Sequence, residues 1–302
     1  MKSFKMKKLA AIDIGSNAVR LLIANTYIEN KNPKYKKISL IRLPVRLGND
    51  VFSTGKISQK TISNLIESVK TFRSIMKIHN VKKYIAVATS AMRDAKNSKQ
   101  ILDKIYKDAK LKVQVISGDL EAAYILKLFK NNFKSINKNY LFIDVGGGST
   151  EINLLINGKI IVSKSFRLGT LRLMNSSDKN ILKNFSKWIK TKTKKIKNII
   201  VIGTGGNANK ILKISNILPY DIIKLSSLLD LFKKVKKYSI IERMVKLKLN
   251  ADRADVIEPA LKIYINALEF SNSNKFIVPR IGLADALILS LNKDINTGYD
   301  LD

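Results

Sequence analysis

Two short segments, one near the start of the chain and one near its middle, combine an aspartate with glycine and small polar residues. They run Asp13-Ile-Gly-Ser-Asn17 and Asp144-Val-Gly-Gly-Gly-Ser-Thr-Glu151. In each, an apolar run leads into the aspartate and a second apolar run follows, a pattern that predicts a β-hairpin with a tight turn. Successive N–H groups in a glycine-rich turn form a concave anion site, and an adjacent aspartate can hold a hydrated Mg²⁺ ion. We therefore predict that the two loops clamp a phosphate group from two sides.

The elements that must position these loops follow a pattern that occurs twice. Each half of the chain opens with strand-like apolar runs and continues with segments of helical periodicity, such as Ser58–Ile78 with Ser58 as its cap. A strand-rich opening followed by helices, occurring twice, favours a duplicated α/β architecture. The restart of the pattern predicts an N-terminal domain over residues 1–126 and a C-terminal domain over residues 127–302.

Length and composition limit the class of protein. The 302 residues can form two modest domains that each bury a core. The sequence has no cysteine, which excludes a disulfide framework and a thiolate metal site. The first apolar run is interrupted at Asp13, so no signal peptide is expected, and no apolar stretch approaches the length of a membrane span. We expect a cytoplasmic protein without a membrane partner.

The formal net charge of +33 has two interpretations. One is a polyanionic partner such as nucleic acid, an anionic membrane or a phosphate polymer. The other is a lysine-rich coding bias that spreads lysine over every solvated face. Because lysines occur along the whole chain, the coding bias explains most of them. A field of this sign would nevertheless attract any polyanionic substrate.

Six motifs, in order along the chain, give a resemblance to one protein family. They are Asp13–Asn17, Ala88–Arg93, Ile116–Ala122, Asp144–Glu151, Phe166–Gly169 and Gly203–Gly206. This ordered set resembles the exopolyphosphatase/guanosine pentaphosphate phosphohydrolase family of the actin-like ATPase superfamily. The resemblance implies two actin-like (ribonuclease H-like) α/β domains with the active site in the interdomain cleft. It also implies a short two-domain form, and relatives are often homodimers.

Members of the family hydrolyse the terminal phosphoanhydride of polyphosphate or of guanosine pentaphosphate with Mg²⁺, or Mn²⁺ in its place. Phosphoryl transfer to water depends on positioning, charge neutralisation and an oriented nucleophile more than on covalent help. The chain has no cysteine, and His79 is its one histidine, so a phosphoenzyme on either residue type has little to build on. Carboxylates and backbone donors remain for the chemistry.

The resemblance implies a role for Glu121 as the residue that orients and deprotonates the attacking water. Glu121 follows Ser117-Gly118 at the start of a predicted helix, where the family places its catalytic glutamate. Taken alone, an acid in the first helical turn is better explained by its favourable interaction with the helix dipole, and the family resemblance reverses that preference.

The remaining site residues divide into metal ligands and phosphate ligands. Asp13, Asp144 and Glu151 are interpreted as ligands of Mg²⁺ or of its water, although Glu151 could be a solvated strand residue. Arg93 is interpreted as a phosphate clamp, with a surface salt bridge to Asp94 or another acid as the alternative. The predicted phosphate ligands are Ser16, Asn17, Arg93, Gly146, Gly147, Gly148, Ser149 and Thr150.

Three positions depart from the family pattern. Leu120 replaces a frequent acid, Ala18 a frequent serine and Asn207 a frequent threonine. None of them removes the catalytic glutamate or the glycine loop, so an active enzyme is expected. They bear on its rate and substrate preference.

The leading hypothesis is a Mg²⁺-dependent exopolyphosphatase that releases orthophosphate from chain ends. The nearest alternative is removal of the 5′ terminal phosphate of guanosine pentaphosphate by the same residues. A kinase or ATPase of the superfamily would use the loops on ATP and would not need Glu121. A nonenzymatic polyanion-binding protein would explain the charge but not the acidic loops. No specific nucleic-acid partner is expected.

Overall fold

The structure, a computed structural model, describes residues 6–29, 32–132, 138–175 and 180–301. It divides into two compact units, the first formed by Met1–Leu128 with Leu283–Asp302 and the second by Phe129–Gly282. Each unit is built on one six-stranded sheet flanked by helices. The predicted α/β class is therefore confirmed. No helix in the described ranges is long and apolar enough to cross a membrane.

The sheet of the first unit begins with an antiparallel meander. Its strands are β1 (Lys7–Ile14), β2 (Val19–Glu29), β3 (Asn32–Leu43), β4 (Lys83–Ala88), β5 (Gln114–Val115) and β12 (Tyr299–Asp300). Strand β4 runs parallel to β1, while β5 and β12 pair with two different parts of β4. The carboxyl ends of β1, β4 and β5 therefore lie at one edge of the sheet, beside the β1–β2 loop.

Helices cover both faces of this first sheet. They are α1 (Leu47–Thr54), α2 (Gln59–Ile78), α3 (Ser90–Asp94), α4 (Ser98–Ala109), α5 (Gly118–Asn132) and α13 (Leu283–Lys293), with a 3-10 turn at Ile295–Thr297. Helix α2 confirms the predicted helix, and the Ser58 hydroxyl accepts the Thr61 N–H as its cap. Phe72 and Met76 of α2 lie fully buried in the core on one face of the sheet.

The sheet of the second unit repeats the same plan. Its strands are β6 (Asn139–Val145), β7 (Thr150–Ile156), β8 (Lys159–Phe166), β9 (Ile199–Thr204), β10 (Ile222–Lys224) and β11 (Lys275–Ile277). The meander β6–β7–β8 is antiparallel, β9 is parallel to β6, and β11 is parallel to β9. This order matches the first unit strand for strand through the parallel pair, as a duplicated architecture predicts.

The helices of the second unit pack around one large apolar core. They are α6 (Thr170–Asn175), α7 (Asn180–Thr193), α8 (Gly205–Ile214), α9 (Leu225–Lys237), α10 (Ile240–Lys246), α11 (Ala251–Ala254) and α12 (Ile257–Phe270). Phe185 of α7, Tyr264 of α12 and Phe276 of β11 are fully buried in that core. The rings of Tyr264 and Phe276 are 5.0 Å apart between centroids.

The C-terminal segment differs from the sequence expectation, which assigned all of residues 127–302 to the second domain. Residues Leu283–Asp302 belong to the first unit. Helix α13 packs Leu287 and Leu291 into the core on the second face of the first sheet. Asp285 at its start accepts a hydrogen bond from the Tyr35 hydroxyl at 2.7 Å. The apolar stripe of α13 therefore covers a sheet face far away in sequence, a contact that local periodicity does not reveal.

Gly203 of β9 gives a test of core packing in the second unit. A Cβ at this position would lie against the ring of Phe276, 2.6 Å from its Cε2 atom. Overpacking of a filled core costs about 1–3 kcal/mol, so we expect Gly203→Ala to lower the free energy of unfolding by that amount. Urea denaturation measures it. Phe276→Leu in the same chain should offset part of the loss, and strictly additive costs would contradict the proposed clash.

Candidate functional site

The β1–β2 loop of the first unit is fixed by backbone contacts. The Gly15 N–H donates to the Ala18 carbonyl at 3.1 Å and closes the turn. Ser16 and Asn17 are buried, and their carbonyls accept the N–H groups of Gly48 at 2.8 Å and Arg46 at 3.1 Å. The Ser16 hydroxyl accepts the Ala91 N–H at 3.2 Å, which ties the loop to α3. Because the hydroxyl accepts in that contact, its proton is directed elsewhere and suits an anionic oxygen.

Asp13 lies at the end of β1 and forms an ion pair across the sheet. Asp13 and Arg20 are directly opposite each other in the β1–β2 register. The Arg20 Nη1 is 2.5 Å from the Asp13 Oδ2, and Asp13 is only 3% exposed. A cation of the chain thus already neutralises this carboxylate, which disfavours the metal-ligand role expected for Asp13. The sequence analysis did not single out Arg20, although Arg20 stands opposite Asp13 once the predicted hairpin is drawn.

Arg93 and Glu121 are brought together in the first unit. The Arg93 Nη1 donates to the Ile116 carbonyl at 2.8 Å and to the Glu121 Oε2 at 3.2 Å. Both side chains are largely buried, with 21% and 13% of their surface exposed. The salt-bridge alternative for Arg93 therefore holds in part, but with Glu121 as the acid. A planar guanidinium beside the carboxylate fixes its orientation.

Glu121 is positioned by the start of α5. The Ser117 hydroxyl accepts the Leu120 N–H at 3.2 Å, and the Ser117 carbonyl accepts the Glu121 N–H at 3.0 Å. Ser117 therefore caps the helix. The segment before it continues from β5, where the Ile116 N–H bonds the Ala88 carbonyl at the end of β4. Glu121 thus projects from the first helical turn at the carboxyl end of the parallel strands.

The glycine loop of the second unit has its carbonyl groups bound on one side. The Gly146 carbonyl accepts the Thr170 N–H at 3.0 Å, and the Gly147 carbonyl accepts the Leu171 N–H at 2.8 Å. The Gly148 carbonyl accepts the Arg172 Nε at 2.7 Å. In a trans peptide the carbonyl and the following N–H point in opposite directions. The N–H groups of Gly147, Gly148 and Ser149 therefore face away from α6, as an anion site requires.

Two predicted phosphate donors of this loop have other partners. The Gly146 N–H donates to the Ser149 carbonyl at 2.9 Å and closes the turn, as Gly15 does in the first unit. Thr150 is fully buried, and its hydroxyl donates to the Leu168 carbonyl at 2.5 Å. Both groups build the loop, and the amides between them are those of Gly147, Gly148 and Ser149.

Gly169 is the residue against which the loop packs. A Cβ at Gly169 would lie 2.5 Å from the Gly147 carbonyl carbon and 2.5 Å from the Gly148 nitrogen. Only glycine allows the two backbones to approach so closely. The sequence alone gave Gly169 no physical role, and it did not single out Arg172, whose side chain holds the same loop. Such backbone-to-backbone contacts leave no periodicity in a sequence.

Asp144 and Glu151 form a pair of carboxylates beside this loop. They are directly opposite each other in the β6–β7 register, so their side chains are neighbours on one face. The Glu151 Oε1 accepts the Ser165 hydroxyl at 2.9 Å, and the Asp144 Oδ2 accepts the Thr204 hydroxyl at 3.0 Å. Glu151 is only 2% exposed, so the alternative of a solvated strand residue is wrong.

The carboxylate pair fits a hard divalent cation. Oxygen is the ligand that Mg²⁺ prefers, and proteins often hold it with one or two carboxylates plus waters and substrate phosphates. Among the described residues, no group of three or more acidic, histidine or cysteine side chains could hold a metal. If such an ion binds beside the loop, Asp144 and Glu151 are the residues of this pair that would hold it, together with water and phosphate oxygens.

The turn after β9 supports Asp144 from behind. Gly205 has a positive φ of 78°, and a Cβ there would collide with the Asp144 carboxylate, 3.0 Å from its Cγ. The fully buried Tyr264 hydroxyl donates to the Thr204 carbonyl at 3.2 Å. Burial raises the pKa of Tyr264 well above its usual value, and the nearby Asp144 charge adds to the effect. Tyr264 therefore stays a neutral hydrogen-bond donor.

The three departures from the family pattern lie in different settings. Leu120 is on the surface and 39% exposed, whereas the Ala18 side chain is buried at 1% and its carbonyl closes the first loop. Asn207 is buried at 4% in the first turn of α8. Its side chain bonds the Val145 carbonyl, directly after Asp144.

Comparison with known proteins places the chain in a family. The model of the Ppx/GppA phosphatase family matches residues 28–294, which is most of the chain. The chain belongs to the Ppx/GppA phosphatase family. The expected resemblance is thereby confirmed, and five of the six motifs, from Ala88–Arg93 onward, lie within the matched residues.

Individual relatives agree with this assignment. The chain is 33% identical over 220 residues to a bifunctional 3-dehydroquinate synthase/phosphatase of Fusobacterium nucleatum, covering 65% of this chain and 32% of that one. It is 28% identical over 166 residues to exopolyphosphatase 1 of Mycobacterium tuberculosis, covering 55% of this chain and 47% of that one. The chain thus spans half or less of the length of these curated relatives. The crystal structure of the Aquifex aeolicus Ppx/GppA family member has a TM-score of 0.73 and 26% identity, over 95% of this chain and 97% of that one.

Gly169 gives a test of how this Ppx/GppA chain builds its glycine loop. We expect Gly169→Ala to lower the free energy of unfolding by about 1–3 kcal/mol, because its Cβ would overlap the Gly147–Gly148 peptide. Amide hydrogen exchange at residues 146–149 should also rise. Gly282→Ala is a matched control, since a Cβ there meets nothing closer than the Gly205 Cα at 3.7 Å. Equal behaviour of the two variants would show that the close contact does not matter.

Proposed function

We propose that this chain is a divalent-metal-dependent exopolyphosphatase that releases orthophosphate from the ends of inorganic polyphosphate. The observation that carries the proposal is the carboxylate pair Asp144–Glu151 beside a glycine loop whose amides face away from α6. The pair fits a Mg²⁺ or Mn²⁺ ion, and the amides fit phosphate oxygens. Glu121, oriented by Arg93, fits the group that directs the attacking water.

In the proposed reaction, the oxygen of a water molecule attacks the terminal phosphorus. Glu121 accepts a proton from that water as the new P–O bond forms. The bridging P–O bond breaks, and its electron pair stays on the oxygen of the shortened chain. The amides of Gly147, Gly148 and Ser149 bind non-bridging oxygens, and a cation held by Asp144 and Glu151 would neutralise their charge.

The predicted site residues of the first unit have distinct proposed roles. The Ser16 hydroxyl and the Asn17 side chain bind phosphate oxygens. Arg93 holds Glu121 and offers further guanidinium N–H groups to a phosphate. For Asp13 we propose a different role from metal binding. Asp13 orients the Arg20 side chain, because the two already form an ion pair.

Support for a polymeric substrate comes from charge and from relatives. The Mycobacterium tuberculosis relative is named an exopolyphosphatase, and the net charge of +33 attracts a polyanion. Guanosine pentaphosphate is the alternative substrate, because the same residues would act on its terminal phosphate. We further propose a cytoplasmic location and no specific nucleic-acid binding, as the family resemblance and the absence of cysteine favour; a homodimer is the oligomeric state to be tested.

Glu121→Gln tests the proposed base. The change keeps the shape of the side chain and its hydrogen bond from Arg93 but removes the basic carboxylate. Phosphate release from long polyphosphate and from guanosine pentaphosphate, measured side by side with Mg²⁺, should fall by about 10²–10⁴-fold. Asp119→Asn is the matched control, because Asp119 is an exposed acid in the same helical turn.

The outcomes of this comparison separate the hypotheses. Faster release from polyphosphate, together with the loss in Glu121→Gln, supports both the substrate and the base. Faster release from the nucleotide overturns the substrate assignment alone. Full activity of Glu121→Gln, or hydrolysis of neither substrate, contradicts the proposed function and favours an ATPase or kinase.

Mg²⁺ titration after removal of metal by EDTA tests the ligand assignment. Glu151→Gln and Asp144→Asn should each raise the Mg²⁺ concentration for half-maximal phosphate release by at least about 10-fold, the lower end of the loss seen even for outer-shell partners. Asp13→Asn should leave that concentration unchanged, because Asp13 is paired with Arg20. An equal rise in Asp13→Asn would restore Asp13 as a ligand.

A further inference from the structure

Asn207 links the glycine loop of the second unit to a buried arginine. Its Nδ2 donates to the Val145 carbonyl at 2.7 Å, and its Oδ1 accepts from the Arg253 Nη1 at 2.8 Å. Asn207 and Arg253 are both only 4% exposed. A carbonyl only accepts and a guanidinium only donates, so the two partners fix which way the carboxamide faces.

The position of Val145 explains why this contact matters. Val145 is the last residue of β6 and lies between Asp144 and Gly146. The parallel ladder between β6 and β9 ends at the pair Asp144–Thr204, because β9 turns into α8 at Gly205. The side-chain amide of Asn207 thus donates to β6 one residue beyond the point where the β9 backbone leaves the sheet.

We propose that Asn207 is a positioning residue that fixes the end of β6, and with it the Asp144 carboxylate and the first peptide of the glycine loop. Arg253 anchors Asn207 from the other side. The inference deepens the proposed function, because it assigns to this chain a support for the residues that would bind the cation and the phosphate.

The two hydrogen bonds of Asn207 indicate what removal of its side chain would do. Without the amide, the buried Val145 carbonyl loses its side-chain donor and the Arg253 guanidinium loses an acceptor, which leaves polar groups poorly satisfied in the core. The backbone on either side of Val145 would then be less restricted. Metal sites commonly lose about 10–100-fold in affinity when a group that orients a ligand is removed.

The test compares Asn207→Ala with Asn209→Ala. Asn209 lies in the same helix, is partly exposed, and its carboxamide oxygen has no hydrogen-bond partner among the described residues. Two readouts are taken on the full chain: amide hydrogen exchange of residues 140–149 without metal, and Mg²⁺ affinity by titration calorimetry. We expect faster exchange and about 10-fold weaker Mg²⁺ binding in Asn207→Ala, with neither change in the control.

A second variant guards against simple unfolding. Asn207→Leu combined with Arg253→Met replaces both buried partners by apolar groups of similar size, which is often tolerated in a core. If this folded variant keeps wild-type exchange and wild-type Mg²⁺ affinity, Asn207 has no positioning role. If the wild type itself binds no Mg²⁺, the proposed metal site fails, while the exchange rates at residues 140–149 still decide the role of Asn207.

Discussion

The contact between Gly169 and the Gly147–Gly148 peptide is the constraint on which the second unit's site depends. It allows the start of α6 to bond the loop carbonyls, and these bonds turn the intervening amides to the opposite side. The same loop follows Asp144 directly, so its conformation also sets the position of the carboxylate pair. A side chain at residue 169 would separate the two backbones and loosen every one of these groups together.

The two glycine-bearing turns have the same backbone hydrogen bond but different charges beside them. Gly15 and Gly146 close equivalent turns with N–H bonds to Ala18 and Ser149. The residue across from the aspartate is an arginine in the first unit and a glutamate in the second. The first turn therefore has the cationic Arg20 opposite its aspartate, whereas the second turn has a second carboxylate opposite its aspartate.

Sequence patterns predicted the features that depend on local order. The amphipathic spacing of α2, the hairpins around both loops and the duplicated α/β plan follow from periodicity and turn residues, and the structure confirms them. The assignment of α13 to the first unit did not follow, because its partners lie at the other end of the chain. Local sequence patterns also did not single out Arg20 or Arg172, and they gave Gly169 no physical role. Each of these residues acts through a contact that depends on strand register or on the close approach of two backbones.

The carboxylate pair of the second unit has an energetic consequence. Glu151 is almost completely buried and lies directly opposite Asp144, and like charges directly opposite each other on neighbouring strands are destabilising. The hydroxyls of Ser165 and Thr204 donate to the two groups but carry no charge. In the first unit Arg20 removes this cost within the chain. In the second unit the residue opposite Asp144 is Glu151 and not an arginine, so a divalent cation bound there would reduce the repulsion between the two carboxylates and bring the positive charge that a phosphate needs.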